Sequence, residues 1–443
     1  MTTLCLSILE HNEPEVINNH RHYCSRMGYE HAEVSTVGLQ SAAHRVLYKY
    51  ELILHYLRRL PEQALLVCAS EDCVFFGMYP VENMAEGRDH LLMSIDGEGY
   101  DRQVAVQVWR NTATIRAMIS GFISRAKVTA GLADERELHT ELEYVPPYMQ
   151  LAGNYCAIIC NVRRQPSWAQ YANIWVLVLS DVALYCGTHP RFRAALFEHV
   201  NDWQQKSVPL MEFPEPIDVG RGDFSVYNPG RALAIVMYYT PNIRKYGAIA
   251  EVNFLRYCRR NNYTLYVYRV TPAEAEPGVT GAWLKPWLIR KHLCCHEWMM
   301  WIDSDILFVD QQKKIEPLLK NRDIVVAHDI GPWVVNSGVL GFRQTSGNIE
   351  LLNEILDAIQ TVPDKSSTYA SGGDQTIIAD LLTCRLDWDL DAGQDLIGLN
   401  TPWFFHNDSS LMAHFFGMTT EVRAMLMLAQ ERSNMQSSVL RRA

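Results

Sequence analysis

The stretch Trp298-Met299-Met300-Trp301-Ile302-Asp303-Ser304-Asp305-Ile306-Leu307-Phe308 sets two carboxylates between two apolar runs. An apolar run that stops at Asp-x-Asp reads as a buried central strand emerging at the carboxyl edge of a sheet, which is where open α/β sheets place their ligands. In extended backbone, residues two apart point the same way, so Asp303 and Asp305 are expected to project together and offer oxygen to a hard divalent cation. A nucleotide diphosphate would complete the coordination, its charge offset by the metal. The tripeptide alone is a weak signal, because Asp-x-Asp also occurs as a solvated strand end. Its position after five apolar residues is what gives it weight.

The elements that must position this pair occur twice along the chain. Leu4 to Leu9 reads as a strand, followed by a helix ending near Gly28, a second helical stretch from Leu47 to Leu60 that Pro61 breaks, and a short strand from Ala64 to Cys68. That strand runs into Ser70-Glu71-Asp72. Leu233 to Tyr239 opens the same series again, and Tyr257 to Tyr263 echoes Tyr23 to Tyr29. Setting Phe75 against Phe308 aligns Ser70 with Asp303 and Asp72 with Asp305, while Trp109-Arg110-Asn111 is set against Trp333 to Gly338. The fold expected is α/β, with two tandem Rossmann-like units built on mostly parallel sheets. Their expected bounds are 1–205 and 233–443, joined by a Pro- and Gly-rich linker over 206–232. Serine is a poor substitute for a carboxylate on a hard cation, so the first unit is expected to be a degenerate copy with a structural, dimerising or acceptor-binding role.

At 443 residues the chain exceeds one ordinary core, and 48% apolar with 20% charged residues marks a globular protein. The formal charge of -10 offers no footprint for nucleic acid. Eleven cysteines without a Cys-x-x-Cys pair read as thiols in a reducing compartment. Met1 to Asn12 lacks a basic segment, and the longest apolar window, Ile174 to Cys186, is too short for a bilayer. No transmembrane segment is expected, and the expected location is cytoplasmic.

Further along lie residues with two readings each. Asn336-Ser337-Gly338 reads as a loop whose glycine permits close backbone approach and whose polar groups could bond sugar hydroxyls, or as an ordinary turn. Asp374-Gln375 opens a helix, where an acid is favoured for the helix dipole alone. His414, among apolar neighbours, is either a core histidine or a cation ligand. Lys285, on a helix, is either solvated or a counter-charge.

Taken in order, Tyr257 with Asn262-Tyr263, Trp283-Leu284-Lys285, Glu297 through Asp305, Asn336-Ser337-Gly338, Asp374-Gln375 and His414-Phe415-Phe416-Gly417 form a series. From Arg244 to Gly417 it resembles the galactosyl- and mannosyltransferase family of fungal Golgi enzymes and plant xyloglucan xylosyltransferases, retaining enzymes of the GT-A fold. The resemblance implies manganese or magnesium held by Asp303, Asp305 and His414. It implies a UDP- or GDP-linked sugar donor contacted by Tyr257, Lys285, Asp303, Asp329, Asn336, Ser337, Gly338 and Gly417. It places Asp374 and Gln375 beside the reacting anomeric carbon, and an acceptor hydroxyl on a glycan, protein or small molecule.

Asn261-Asn262-Tyr263 departs from the family's His-Gly-Tyr, and no Golgi-type membrane anchor is expected. Two other readings compete with a transferase. An aspartyl-nucleophile phosphatase wants Thr or Val two residues after the second acid, where this chain has Leu307. A non-catalytic nucleotide-sugar sensor or scaffold is suggested by Ser70.

Overall fold

The computed structural model describes residues 2–11, 13–39, 41–94, 102–128, 150–151, 156–158, 174–179, 190–207, 219, 222–275, 281–329, 334–365, 373–385, 396–418 and 420–440. The chain divides into two compact units, Met1–Phe213 with Gly417–Thr419, and Pro214–Phe416 with Thr420–Ala443. Among the described residues no helix is long and apolar enough to cross a membrane. Residues 208–218, 220 and 221 of the expected linker, along with Trp333, Ser371 and Gly372, lie outside the described residues.

The N-terminal unit contains strands β1 (Thr3–Leu9), β2 (Glu30–Ser35), β3 (Leu65–Ser70), β4 (Cys73–Phe75), β5 (His90–Ser94), β6 (Arg102–Arg110), β7 (Gln150–Leu151), β8 (Cys156–Ile158) and β9 (Val176–Val178). Its helices are α1 (Pro14–Met27), α2 (Ala42–Leu57), α3 (Val81–Met84), α4 (Ala113–Val128) and α5 (Pro190–Gln205). The main sheet runs β2-β1-β3-β6-β5-β7, and a small sheet runs β4-β9-β8. Helix α1 starts with Pro14 in its first turn and stops where Gly28 takes φ 73°, a left-handed cap that lets Tyr29 N donate to Cys24 O at 2.8 Å.

The C-terminal unit has strands β10 (Phe224–Tyr227), β11 (Leu233–Tyr238), β12 (Thr264–Tyr268), β13 (Trp298–Ile302), β14 (Ile306–Phe308), β15 (Ile324–His328), β16 (Val335–Arg343), β17 (Thr401–Pro402) and β18 (Met412–His414). Its helices are α6 (Arg244–Asn261), α7 (Lys285–Leu293), α8 (Glu316–Leu319), α9 (Ser346–Gln360), α10 (Asp374–Arg385), α11 (Leu396–Leu399) and α12 (Thr420–Leu440). The main sheet runs β10-β12-β11-β13-β16-β15 and the small sheet β14-β18-β17. Helix α6 ends on Asn262, whose φ of 65° gives Tyr263 N the same backward bond, to Cys258 O at 2.9 Å. The asparagine that departs from the resemblance therefore makes the turn a glycine would make, because its short polar side chain tolerates the left-handed region.

Several expectations need correction. The sheets are mixed rather than mostly parallel. In the C-terminal unit β11 runs parallel to β12 and β13, but β13–β16, β15–β16 and β10–β12 are antiparallel. Phe224–Tyr227, expected within the linker, is an edge strand of that sheet. The polar strand β2 was not expected, because an exposed edge strand carries no apolar pattern. Asn336-Ser337-Gly338, expected in a loop, lies in β16. Trp109 faces Leu66 in its ladder as Phe342 faces Met299, so the ladder positions set Trp109 against Phe342 and not against Trp333.

The core that seats β13 is fully apolar: all five residues from Trp298 to Ile302 are buried. On one face Met299 and Trp301 join Leu284, Leu288 and Ile289 of the α7 region, and Leu351, Leu352 and Ile355 of α9. Burying a run of that size fixes the strand's register, and with it the point where its polar end emerges.

Candidate active site

β13 delivers Asp303 at its carboxyl end, and there the chain turns. Ile306 N donates to Asp303 O at 3.2 Å and β14 begins at once. The two acids are thus brought together by a tight turn, and the expectation that extended backbone would align them is corrected. Each acid is also tied by its backbone to another strand or strand end. Asp303 N donates to Gly338 O at 2.8 Å, and Phe415 N donates to Asp305 O at 2.9 Å.

The small sheet supplies the third group. β14 pairs antiparallel with β18, setting Ile306 opposite His414. One ligand atom each from Asp303, Asp305 and His414 lies within 4.8 Å of the others, the only such group of three or more among the described residues. His414 Nε2 stands 3.2 Å from Asp305 Oδ1, while its buried Nδ1 has no hydrogen-bond partner. The side chains of Asp303 and Asp305 keep 23% and 15% of their surface exposed, so the cluster has an open side. Gly338 makes room for the imidazole. A Cβ there would stand 2.7 Å from His414 Cε1 and 2.9 Å from Asn336 Oδ1, closer than side chains pack.

Lys285 begins α7 and is buried. Its ammonium donates to Asp303 Oδ2 at 3.1 Å, to Ser337 Oγ at 3.0 Å and to Ser337 O at 3.2 Å, and pairs with Asp374 at 3.3 Å. It thus neutralises the chain's own carboxylates, where the sequence reading expected it to meet a diphosphate. Asp374 opens α10 and accepts from Ser337 Oγ at 3.1 Å. Gln375 Oε1 accepts from Ser337 N at 3.0 Å, and its amide donates to Asp329 at 3.3 Å. Asn336 donates to Asp329 at 2.8 Å and accepts from Gly338 N and from Asn400 Nδ2. Gly417 follows the histidine motif with φ 71°.

Tyr257 is not available to a ligand. It is wholly buried, stacks on Phe308 at 3.6 Å and 8°, and donates to Lys313 O at 2.7 Å. Its role is to brace β14.

Two residues at the site have no signal in the sequence. Arg423 of α12 approaches Asp305 at 3.5 Å and donates to Phe415 O at 2.8 Å and Tyr246 OH at 3.0 Å, so it secures both the second acid and the strand end carrying His414. Asn400, beyond α11, holds Asn336 at 2.8 Å. Both lie far from Asp305 in sequence, and neither belongs to a recognisable spacing.

The electrostatics separate the two acids. Burial pushes the Asp303 carboxyl up by more than Lys285 draws it down, and the charge of Asp305 adds to the rise. Burial acts upward on Asp305 too, but Arg423, His414 and Lys285 outweigh it and hold that carboxyl well below the usual range. Lys285 is pushed up, because Asp303 and Asp374 outweigh its burial.

Residues 240–329 match the model of the galactosyl transferase GMA12/MNN10 family. That stretch contains Tyr257, Lys285, Asp303, Asp305 and Asp329, and ends before Asn336, Asp374 and His414. The chain is similar to galactomannan galactosyltransferase 1 of Cyamopsis tetragonoloba, with 27% identity over 177 residues, covering 34% of this chain and 39% of that protein. It is similar to "Probable xyloglucan 6-xylosyltransferase 3" of Arabidopsis thaliana, with 31% identity over 113 residues, covering 23% of this chain and 24% of that protein. The chain therefore spans well under half the length of these relatives. Among solved structures, a glycosyltransferase involved in the glycosylation of the major capsid of PBCV-1 aligns over 45% of this chain and 99% of its own, with 17% identity and a TM-score of 0.35. A likeness at that score bears no weight. The C-terminal half resembles glycosyltransferases by its sequence.

Proposed function

We propose that the C-terminal unit is a cation-dependent, retaining glycosyltransferase that moves a hexose or pentose from a UDP- or GDP-linked donor to an acceptor hydroxyl. The observation that carries this reading is the convergence of Asp303, Asp305 and His414 within 4.8 Å beside an open edge, in the stretch of chain that resembles sugar transferases. Charge supports it. Asp303, Asp305, Asp374 and Asp329 face two fixed cations, Lys285 and Arg423, which leaves a deficit that a divalent ion would meet. Two carboxylates with an imidazole suit manganese better than calcium. When bound, that ion supplies charge neutralisation for the departing diphosphate.

The chain's own residues do the rest. Lys285 pairs with both Asp303 and Asp374 and holds them in place. Ser337, held by Gln375 through its backbone N–H, donates to Asp374. Asp374 is assigned to steady positive charge at the reacting carbon as the glycosidic bond loosens. Asp329, half-buried and bonded to Asn336 and Gln375, is assigned to the sugar hydroxyls, with Asn336 as its positioning residue. Preorganised charge of this kind needs no reorganisation when the bond breaks, and it would provide most of the rate. The acceptor is a hydroxyl on a glycan, a protein or a small molecule.

A thermal-shift panel of UDP, GDP and their sugars, with and without manganese, tests the reading, since a ligand that binds only the native state raises its melting temperature. One nucleotide series should stabilise the protein in a manganese-dependent way, and Asp305→Ala should abolish the effect. Stabilisation that ignores manganese, or that survives Asp305→Ala, would overturn the cation site. Inversion at the anomeric carbon of the product would overturn the retaining mechanism.

A further inference from the structure

We propose that the N-terminal unit is a second copy of the same fold in which an ion pair within the chain has replaced the cation seat, so that each chain binds one catalytic divalent cation and not two. The inference rests on the cation reading of Asp303, Asp305 and His414.

The five strands β2-β1-β3-β6-β5 and the five strands β12-β11-β13-β16-β15 follow the same order, with the same parallel and antiparallel neighbours. Both sheets carry a bulge at the matching point, between Leu92 and Met93 and between Val326 and Ala327. The agreement extends to individual bonds. Asn19 brackets Phe75 through its N–H and carbonyl as Asn253 brackets Phe308. Tyr23 stacks on Phe75 at 4.2 Å and 6°, and Tyr257 on Phe308 at 3.6 Å and 8°. Tyr29 donates to Glu82 and accepts from Val81 N, as Tyr263 does with Glu316 and Ile315 N. Lys49 donates to Val104 O and Lys285 to Ser337 O. Leu179 N bonds Asp72 O at 2.9 Å, and Phe415 N bonds Asp305 O at 2.9 Å. A chance likeness between two α/β units would share strand order but not this series of side-chain roles.

On that frame, Asp72 answers Asp305, but Ser70 stands for Asp303 and Val178 stands for His414, opposite Cys73 where His414 lies opposite Ile306. Two of the three ligand groups are gone. The two acids of the turn are engaged within the chain. Arg193 pairs with Asp72 and, at 3.4 Å, with Glu71. Glu71 also accepts from Glu10 N at 2.7 Å, from His11 N at 2.9 Å and from the His11 ring. Ser70 Oγ accepts from Asp72 N at 3.3 Å within its own turn. A guanidinium closed on the acid that answers Asp305, with Asp303 and His414 unmatched, leaves a hard cation without its ligand set.

The test is the stoichiometry of Mn2+ binding to the full-length protein, followed by electron paramagnetic resonance with and without UDP or GDP. The expected values are one tight ion per chain for the wild type and for Asp72→Ala, none for Asp305→Ala, and two for the triple variant Ser70→Asp/Val178→His/Arg193→Gln, in which the guanidinium no longer holds Asp72. Two ions in the wild type, or one that persists in Asp305→Ala and disappears with Asp72→Ala, would overturn the inference while leaving the function of the C-terminal unit standing. A natively folded triple variant that still binds one ion would overturn the residue-by-residue correspondence. No tight ion in the wild type would instead sink the cation reading itself, and this inference with it.

Discussion

The turn after β3 and the turn after β13 are framed alike and differ in what their polar groups face. After β3, Glu71 and Asp72 are engaged by Arg193, His11 and two backbone N–H groups. After β13, three ligand atoms converge within 4.8 Å and keep an open side. The difference separates architecture from chemistry. Asn253, Tyr257 and Tyr263 have working counterparts in Asn19, Tyr23 and Tyr29, so their bonds belong to the fold. Asp303 and His414 have none, and they are the residues on which the proposed cation site rests. Lys285 belongs to both classes. Its bond to Ser337 O is architectural, like that of Lys49 to Val104 O, whereas its bonds to Asp303 and Asp374 are particular to the C-terminal unit.

The largest expected break in this comparison comes from the two matched aspartates. Asp305→Ala should lower transfer by about 10³-fold, the several kcal/mol that a bound cation contributes to the transition state. Asp72→Ala should leave the rate and its manganese dependence unchanged. Equal losses in initial-rate assays would mean that the two turns do the same work.

Next in size is Lys285→Met, which leaves Asp303 and Asp374 without a counter-charge. Denaturant titration should register a loss of about 3–5 kcal/mol, as for other broken buried pairs. A loss under about 1 kcal/mol would show that the lysine does not brace the site.

A third difference is acid sensitivity. His20 packs edge-on against Phe75 at 5.1 Å and 73°, and Phe254 packs against Phe308 at 5.3 Å and 71°. Burial pushes the His20 imidazole down from 6.5 to about 4. Between those values the unfolded chain binds a proton that the folded unit does not, so the N-terminal unit loses stability as pH falls, by up to about 3 kcal/mol. His20→Phe should reduce that slope in its urea midpoint, the remainder coming from His199, His90 and His31, which burial also pushes down. An unchanged slope would place the acid sensitivity elsewhere.

The smallest effect is expected from Gly338→Ala. The added methyl meets the His414 ring and Asn336, and should weaken manganese binding about 10-fold at a stability cost of about 1–2 kcal/mol. Unchanged affinity would show that the ring can move aside freely.

Much of the frame was legible in the sequence because it is written in short-range patterns. The buried run before Asp303, the end of α1 at Gly28 and the Asp-x-Asp signature each need only a few residues. The convergence of Asp303 and Asp305 was anticipated, though its geometry was not, since nothing in Asp-Ser-Asp distinguishes a strand end from the turn that follows it. The strand start at Asn336 was masked by polar residues that look like loop, and β2 by its exposed edge. Tyr257, expected at the donor, packs against Phe308, and a matched motif position does not reveal whether a side chain faces a ligand or the core. Arg423 and Asn400 reach the site only through tertiary folding, and no spacing predicts them. The same holds for Val178, which becomes informative only once its ladder position opposite Cys73 is known.

The seat of the cation is tested most directly by electron spin-echo modulation on Mn2+ bound to the protein. The wild type should show coupling to one imidazole nitrogen that disappears in His414→Ala, while Asp303→Ala and Asp305→Ala each lower the affinity. Bound manganese with no nitrogen coupling, or with coupling that persists in His414→Ala, would contradict the assignment of Asp303, Asp305 and His414 as one site.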